Sequence, residues 1–376
     1  MTKLFLILLV AIVLTSCGLK ERPALPVIDS LLVITDTIGV EMYDEDGIIG
    51  LITGLSFMPN GNIAVLDQKL DCISIFTNNG QFIESIGGEG EGPGYFTRPS
   101  GFGVFDDGSF VVSDRTGVSW FDSTHNCTEK IIPEYTVLVL DACNDGTFFG
   151  NDLTMQIEDG EGMFVSSYGR WDSDLEQIVS YYETRLPASS VIPPEDGIQH
   201  ERDITHYCIS SISGNAFISN KTREDLIITG YDPDGNEFLR IEDEDYYPVR
   251  RTDSEIQQIT ERRESIERLV FGSDVAAFFD YIPDEYKPAI INMFVDHEER
   301  LWIRLGYYNE MVFRIYDMDG NILFHAMLNA ECENEDYLTW KVTGDEHGFL
   351  AYDANPVDEI VIYVLQLVEN SSENLR

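Results

Sequence analysis

Apolar positions along this chain come in short runs separated by polar turns, and the whole arrangement recurs. In its first copy, Leu55-Ser-Phe-Met-Pro-Asn-Gly-Asn-Ile-Ala-Val-Leu-Asp67 leads to Cys72-Ile-Ser-Ile-Phe76, then Asn78-Asn-Gly80, then Gln81-Phe-Ile-Glu-Ser-Ile86. An aromatic residue marks the third run of each copy: Phe76, Phe121, Trp171, Tyr231, Tyr316 and Tyr363. The first turn recurs as Asn60-Gly61, Asp107-Gly108, Asp145-Gly146, Gly214-Asn215, His297-Glu298-Glu299 and His347-Gly348. Asn-Gly and Asp-Gly between alternating apolar runs predict tight hairpins, because Gly and Asn tolerate positive φ. A period of about 40–50 residues is that of one four-stranded propeller blade. The reading is therefore all-β: a six-bladed β-propeller.

Runs such as Phe110-Val-Val-Ser-Asp114, Val137-Leu-Val-Leu140 and Leu226-Ile-Ile-Thr229 are rich in the branched residues that pack between sheets. The last copy, ending in the run Ile360 to Leu367, supplies three strands. The segment Val27-Ile-Asp-Ser-Leu-Leu-Val-Ile34 is expected to be the fourth, closing the ring and leaving no blade with an unpaired edge. Two inserts break the period. Residues 183–204, with Pro187, Pro193 and Pro194, read as an irregular loop. Residues 252–287 read as a helical insert between blades four and five: Ile256, Ile259, Ile266, Leu269 and Val270 recur at helical spacing, Ala276 to Phe279 follow Gly272, and Pro283 ends the stretch. Asp253 or Ser254 is the expected cap, since their side chains accept from free amides.

The stretch Gly87-Gly-Glu-Gly-Glu-Gly-Pro-Gly-Tyr-Phe-Thr-Arg-Pro99, with Gly103-Val-Phe-Asp-Asp-Gly-Ser-Phe-Val-Val-Ser-Asp114, resembles NHL-type repeats. The chain as a whole resembles the six-bladed β-propeller lipoproteins of Bacteroidetes and neighbouring phyla. That resemblance implies a fold and a location, and no reaction.

The start of the chain agrees with such a location. Lys3, the apolar run Leu4 to Leu14 and Leu14-Thr-Ser-Cys17 read as a secretory signal over residues 1–17. Leu-Thr-Ser-Cys resembles a bacterial lipobox, with Cys17 as the lipidated residue and the membrane as a partner through that anchor. Gly18 stands where a retention Asp would keep the product in the inner membrane, so the expected address is the outer membrane. The apolar run is shorter than the roughly 20 residues needed to span a bilayer. The propeller is then expected over residues 18–368, with a polar tail over 369–376.

The chain has 67 acidic and 24 basic residues among 376, a formal net charge of −43. Nucleic acid is excluded as a partner, because its binding needs basic patches that displace counterions. Calcium is the cofactor such acidity would admit, although no cofactor is called for by any motif. Asp232-Pro-Asp-Gly-Asn236 and Asp317-Met-Asp-Gly-Asn321 resemble the first half of a calcium loop. Position twelve of that loop, however, falls on Asp243 and Leu328 rather than on a bidentate Glu, and both motifs read as turns. The loop Gly87–Gly94 lacks the Lys-Ser/Thr of a phosphate cradle and reads as a blade connector. Cys72, Cys127, Cys143, Cys208 and Cys332 show no zinc spacing and read as small apolar residues in blade strands. His200 and His206 read as ordinary histidines.

One contrast remains. Arg250, Arg251, Arg262, Arg263 and Arg268 crowd into an Arg-poor chain, flanked by Tyr246, Tyr247, Tyr281 and Tyr286. Of these, Arg250, Arg251, Arg262, Arg263, Tyr281 and Tyr286 are the candidate ligand-binding residues, since guanidinium and aromatic groups grip anionic or carboxylate ligands. The opposing reading pairs these arginines with Glu255, Glu261, Glu264 and Glu267 along the helix. The function expected is a non-enzymatic binding scaffold of the cell envelope for a glycan, peptide or envelope protein. The alternative is a metal-dependent lyase or lactonase in the central channel, as in propeller enzymes related to NHL repeats, though no ligand set maps onto this chain.

Overall fold

Each unit becomes a blade because its turns bond themselves. In the second hairpin, Asp122, Asp172, Asp232 and Asp317 each accept backbone N–H groups from the residues two and four positions on. The residue three positions on then turns left-handed: His125, Leu175, Gly235 and Gly320, with Gly80 at the matching place in the first unit. That turn also locks blade to blade. A Cβ on Gly320 would lie 2.9 Å from Leu239, and one on Gly80 3.3 Å from the Thr37 carbonyl, both on the outer strand of the preceding blade. Positive φ and close approach together demand glycine there.

The computed structural model describes residues 23–39, 47–188, 198–201, 205–210, 212–219, 223–271, 280–329, 339–354 and 360–370. Strand β1 (Ser30–Ile38) comes first. Blade one is β2 (Ile52–Phe57), β3 (Ile63–Asp67), β4 (Cys72–Phe76) and β5 (Phe82–Gly87); blade two is β6 (Gly101–Val104), β7 (Phe110–Asp114), β8 (Gly117–Phe121) and β9 (Cys127–Ile131). Blade three is β10 (Thr136–Ala142), β11 (Phe148–Glu158), β12 (Glu161–Trp171) and β13 (Gln177–Pro187). After β14 (Ile198–His200), blade four is β15 (His206–Ile209), β16 (Ala216–Ser219), β17 (Ile227–Tyr231) and β18 (Glu237–Glu242). Helix α1 (Asp253–Phe271) and β19 (Asp280–Ile282) precede blade five, which is β20 (Ile290–Val295), β21 (Leu301–Leu305), β22 (Val312–Tyr316) and β23 (Ile322–Asn329). Blade six is β24 (Trp340–Asp345), β25 (Gly348–Asp353), β26 (Ile362–Glu369) and β1, which runs antiparallel to β26.

The six-bladed propeller is thus closed by its N-terminal strand, as expected. One pairing was not foreseen. β1 also runs parallel to β23, from Ser30 opposite Ala326 to Val33 opposite Asn329, and fuses blades five and six into one eight-stranded sheet. Where the other blades have a hairpin between third and fourth strands, blade six has a chain break clasped by side chains and backbone. Asn370 N–H donates to the Asp29 carbonyl (2.9 Å), and Asp29 N–H to that of His325 (2.9 Å).

The core lies in the seams. Six buried apolar clusters fall between the six pairs of adjacent blades. The recurring aromatics belong to them, ending β4, β8, β12, β17 and β22. Tyr363 does not follow: it is the second residue of β26 and stacks on Trp340 at 4.5 Å. Other expectations shift too. The fourth strand of blade six is Ser30–Ile38 rather than 27–34, and Glu369 and Asn370 belong to the closure rather than to a tail. The presumed loop 183–204 contains the end of β13 and the strand β14, which pairs in parallel with β19. Cys72 and Cys208 are buried in strands, Cys143 is buried beside a turn, and Cys127 is half-buried. Cys17, with residues 1–22, Cys332 and residues 272–279 lie outside the described residues.

Closure by β1 makes a measurable demand. Leu32 is 0 % exposed in the seam between blades five and six, whereas Val27, just before the strand, is 80 % exposed. Leu32→Ala should cost about 2–5 kcal/mol in urea unfolding, and Val27→Ala less than about 0.5 kcal/mol. Equal effects would mean that β1 does not seal the ring.

Candidate functional site

Every blade runs to and fro across the ring, so the turns before its second and fourth strands open on one face, and the turn between its middle strands and the connectors between blades lie on the other. The insert belongs to the connector face. Thr252, not Asp253 or Ser254, caps α1. Its hydroxyl accepts from Glu255 N–H at 3.2 Å, and the Glu255 carboxylate accepts from Thr252 N–H at 2.7 Å. This reciprocal box satisfies two free amides. Glu255 also pairs with Lys287, and both are buried. The expected apolar stripe is weak where it is described: Ile256 and Ile259 are half-buried, whereas Glu255 and Arg262 are buried.

Arg262 reaches blade six, where it pairs with Asp353 and meets the Thr339 hydroxyl at 3.3 Å. Asp353 ends β25 as Asp67 ends β3 and Asp114 ends β7. In the first two blades this carboxylate binds a connector amide: Asp67 accepts from Leu51 N–H at 3.0 Å, besides Leu70 N–H in its own turn, and Asp114 from Thr97 N–H at 2.9 Å. In blade six the same repeat position holds the insert instead. The helix therefore spans the top of blade five, from the seam with blade four to blade six.

The other candidates are seated likewise. The Arg251 side chain is 6 % exposed and donates to both oxygens of Glu201 and to the Asp284 carbonyl (2.8 Å), while Arg223 donates to Glu201 at 2.6 Å. Burial by itself would raise the Glu201 carboxyl, and the two arginines hold it below its usual range. Arg250 pairs with Glu285 and stands 5.8 Å over the Tyr286 ring; Arg263 stands 5.4 Å over Tyr281. Burial, then the Glu201 charge, pushes the Tyr281 hydroxyl up to about 12. The structure thus joins Arg250 with Tyr286 and Arg263 with Tyr281, and sends Arg251 and Arg262 to separate carboxylates off the helix. Neither a single open guanidinium cluster nor pairing confined to the helix describes these contacts.

The channel is mixed in character. Asp141 on β10 and Lys341 on β24 are exposed on innermost strands and so open onto it. Although Asp141 is exposed to the channel, desolvation by the strands packed around its carboxyl pushes it up to about 7. His206, at the start of β15, is held down to about 4 by burial first, then by Lys341 and Arg223. Among the described residues, no group of three or more His, Cys, Asp or Glu side chains is placed to hold a metal ion. The Asp232 and Asp317 carboxylates bind their own turns, including the Asn236 and Asn321 side chains at 3.0 Å.

A cavity of about 690 Å³ opens on the hairpin face over blade six, walled by turns of blades five and one. Asn78, Asn79 and Gln366 line it with amides, and Phe57, His347 and Phe349 with rings. Phe57 and His347 lie 5.8 Å apart. Four carboxylates, Asp36, Glu298, Asp345 and Glu346, face one guanidinium, Arg300, itself bonded to Asp296 and Glu298. A bulge in β1 between Ile34 and Asp36 turns Thr35 and Asp36 into the wall. The sequence showed some of these residues only as repeat turns, Asn78-Asn-Gly80, His297-Glu298-Glu299 and His347-Gly348, and not as a shared site.

The architecture defines a β-propeller. Residues 44–209 match the model of a family described as a 6-bladed beta-propeller. The chain is also similar to solved structures: a member of the DUF4221 family from Bacteroides vulgatus (11 % identity, TM-score 0.49, covering 91 % of this chain and 99 % of that one), a calcium-binding regucalcin from Agrobacterium tumefaciens (13 %, 0.43, 90 % and 95 %) and a gluconolactonase from Xanthomonas campestris (13 %, 0.43, 92 % and 99 %). None of these likenesses bears on chemistry. No curated protein matches the chain in sequence.

The Asp141 environment predicts a pH signature. Its folded carboxyl sits near 7 against about 3.9 in the unfolded chain. The folded state therefore binds more protons between those values, and this residue's contribution to stability falls as pH rises from 4 to 7. Relative to wild type, Asp141→Asn should gain stability progressively over that range and little below it, in urea titrations at stepped pH. A gain independent of pH would contradict the assignment.

Proposed function

We propose that the protein is an exported, lipid-anchored binding scaffold of the cell envelope whose ligand sits in the cavity over blade six. The cavity carries this reading: it is a concave site assembled from three blades, lined by planar amides, carboxylates and rings. Such groups bond pairs of hydroxyls while rings cover the C–H faces of a sugar. Its excess of carboxylates disfavours anionic ligands, so a neutral glycan is the ligand class. The Leu-Thr-Ser-Cys17 leader supports lipidation and an outer-membrane address. The insert is the less favoured position, because its described guanidiniums face protein groups.

One observation favours the competing reading, a lyase or lactonase in the channel. Asp141 opens onto the channel with a carboxyl near 7, the range of a general acid or base.

Thermal melting of a soluble form beginning at Gly18, with neutral oligosaccharides, a polyamine, calcium and a chelator, separates the readings. A bound glycan at about 100 times its Kd should add about 2.7 kcal/mol to stability. Gln366→Ala and His347→Ala should remove that shift, and Gln366→Ala, an exposed position, should leave the unliganded melt unchanged. A shift insensitive to both substitutions, or one produced by calcium alone, would overturn the cavity as the site.

A further inference from the structure

The chain ahead of β1 is pinned along the flank of blade five. The Asp29 carboxylate accepts from His325 N–H at 3.0 Å, and the Asn370 side-chain amide donates to the Ile28 carbonyl at 2.9 Å. Ile28 packs into the seam between blades four and five. Further upstream, the Ala24 carbonyl accepts from the Tyr308 hydroxyl at 3.4 Å. Tyr308 belongs to the turn between β21 and β22, the middle strands of blade five, so it lies on the connector face. Its neighbour Tyr307 stands 5.5 Å from Tyr246, in the connector after β18. The chain therefore first meets the body of the propeller on the connector face, opposite the cavity.

Six residues, 18–23, separate Cys17 from Ala24. Fully extended, that link reaches about 25 Å. The 5 residues of β22 alone rise about 17 Å, and a turn adds to each end. A lipid on Cys17 thus reaches a bilayer beneath the connector face with slack. A bilayer beneath the hairpin turns would require the link to run straight along the whole flank of the blade.

The surface chemistry of the two faces differs in the same sense. On the connector face, exposed apolar and aromatic side chains recur from loop to loop. They are Ile48 before blade one (50 %), Leu70 in its middle turn (42 %), Tyr95 before blade two (52 %), and Ile132 and Tyr135 before blade three (73 % and 37 %). In the hairpin turns, among the described residues, Ile212 is the one large apolar side chain exposed. Apolar and tyrosine side chains at loop tips suit the boundary between headgroups and acyl chains. Glu89 and Glu91, exposed in the same connector as Tyr95, favour a zwitterionic headgroup layer over an anionic one.

We propose that the connector face rests on the lipid surface that holds the anchor, so that the cavity over blade six is presented away from the membrane. This orientation rests on the lipidation of Cys17 argued above. The anchor limits how far the connector face can lift, and the loops carrying Leu70, Tyr95 and Ile132 make the contact.

The test uses the lipidated chain in phosphatidylcholine vesicles carrying a spin label on the headgroup. A fluorescent side chain is placed at Arg115, in the middle turn of blade two, or at Ser123, in its second hairpin turn; both positions are exposed. Quenching should be at least twofold stronger at 115 than at 123. Lengthening the link by about 20 flexible residues after Gly18, together with Leu70→Ser and Ile132→Ser, should bring the two positions level without changing the melt. Equal quenching in the unaltered chain, or stronger quenching at 123, overturns the proposal. So does a contrast that persists undiminished in the lengthened double variant. A chain that does not float with the vesicles lacks the anchor, and the lipidation reading falls with this one; a chain that floats with equal quenching overturns the orientation alone. Gln366→Ala should leave the quenching contrast intact, which separates failure of the cavity reading from failure here.

Discussion

The fold depends on a single strand that is remote in sequence from the blade it completes. A four-stranded blade buries neither face by itself; each face is covered only by the next blade, so the ring must close for any seam to be complete. β1 does this twice. Leu32 enters the seam between blades five and six, and Ile38 the seam between six and one. Each buried side chain of this size contributes about 1.5–3 kcal/mol, and β1 adds the hydrogen-bond ladders to β26 and β23. Sealing by strand pairing leaves the acidic surface free, which suits a chain whose own charges repel one another.

The insert is attached by different physics. Its contacts with the propeller run through Glu255–Lys287, Arg262–Asp353 and the Glu201–Arg251–Arg223 cluster, with Arg304 close beneath Asp353. Burial holds the Arg304 guanidinium down to about 9, and Asp353 opposes that shift. Buried ion pairs add little net stability over apolar packing, but removing one partner is costly and the geometry is exacting. They fix where α1 lies without requiring a seventh apolar seam.

The sequence made the ring legible because the ring is local. Hairpin turns and strand alternation are written within each unit, so the blade count followed from Asn60-Gly61, Asp107-Gly108 and their successors. Blade six was misregistered because its third strand is followed by a chain break rather than by a turn that would fix the aromatic's place. Thr252 was missed as a cap although Thr-Asp-Ser-Glu255 spells the reciprocal box, because Asp253 and Ser254 are equally good caps in isolation. The insert's arginines stood out as a group. Their partners did not, because Glu201 and Asp353 lie 50 and 91 residues from Arg251 and Arg262.

Closure and cavity share one structural cause. In blades one to five the hairpin turn before the outer strand belongs to a continuous chain; in blade six the outer strand arrives from the other end of the protein. β1 meets β26 with a bulge at Thr35, and that bulge, with the Asn78-Asn79 turn of blade one, walls the cavity. A ligand there touches the strand that seals the ring, so binding would draw directly on the same contacts that hold the propeller shut. Sequence reading pointed instead to the connector face, where inserts advertise themselves by breaking the period. The cavity breaks no period: it arises where three regular blades meet around an irregular join.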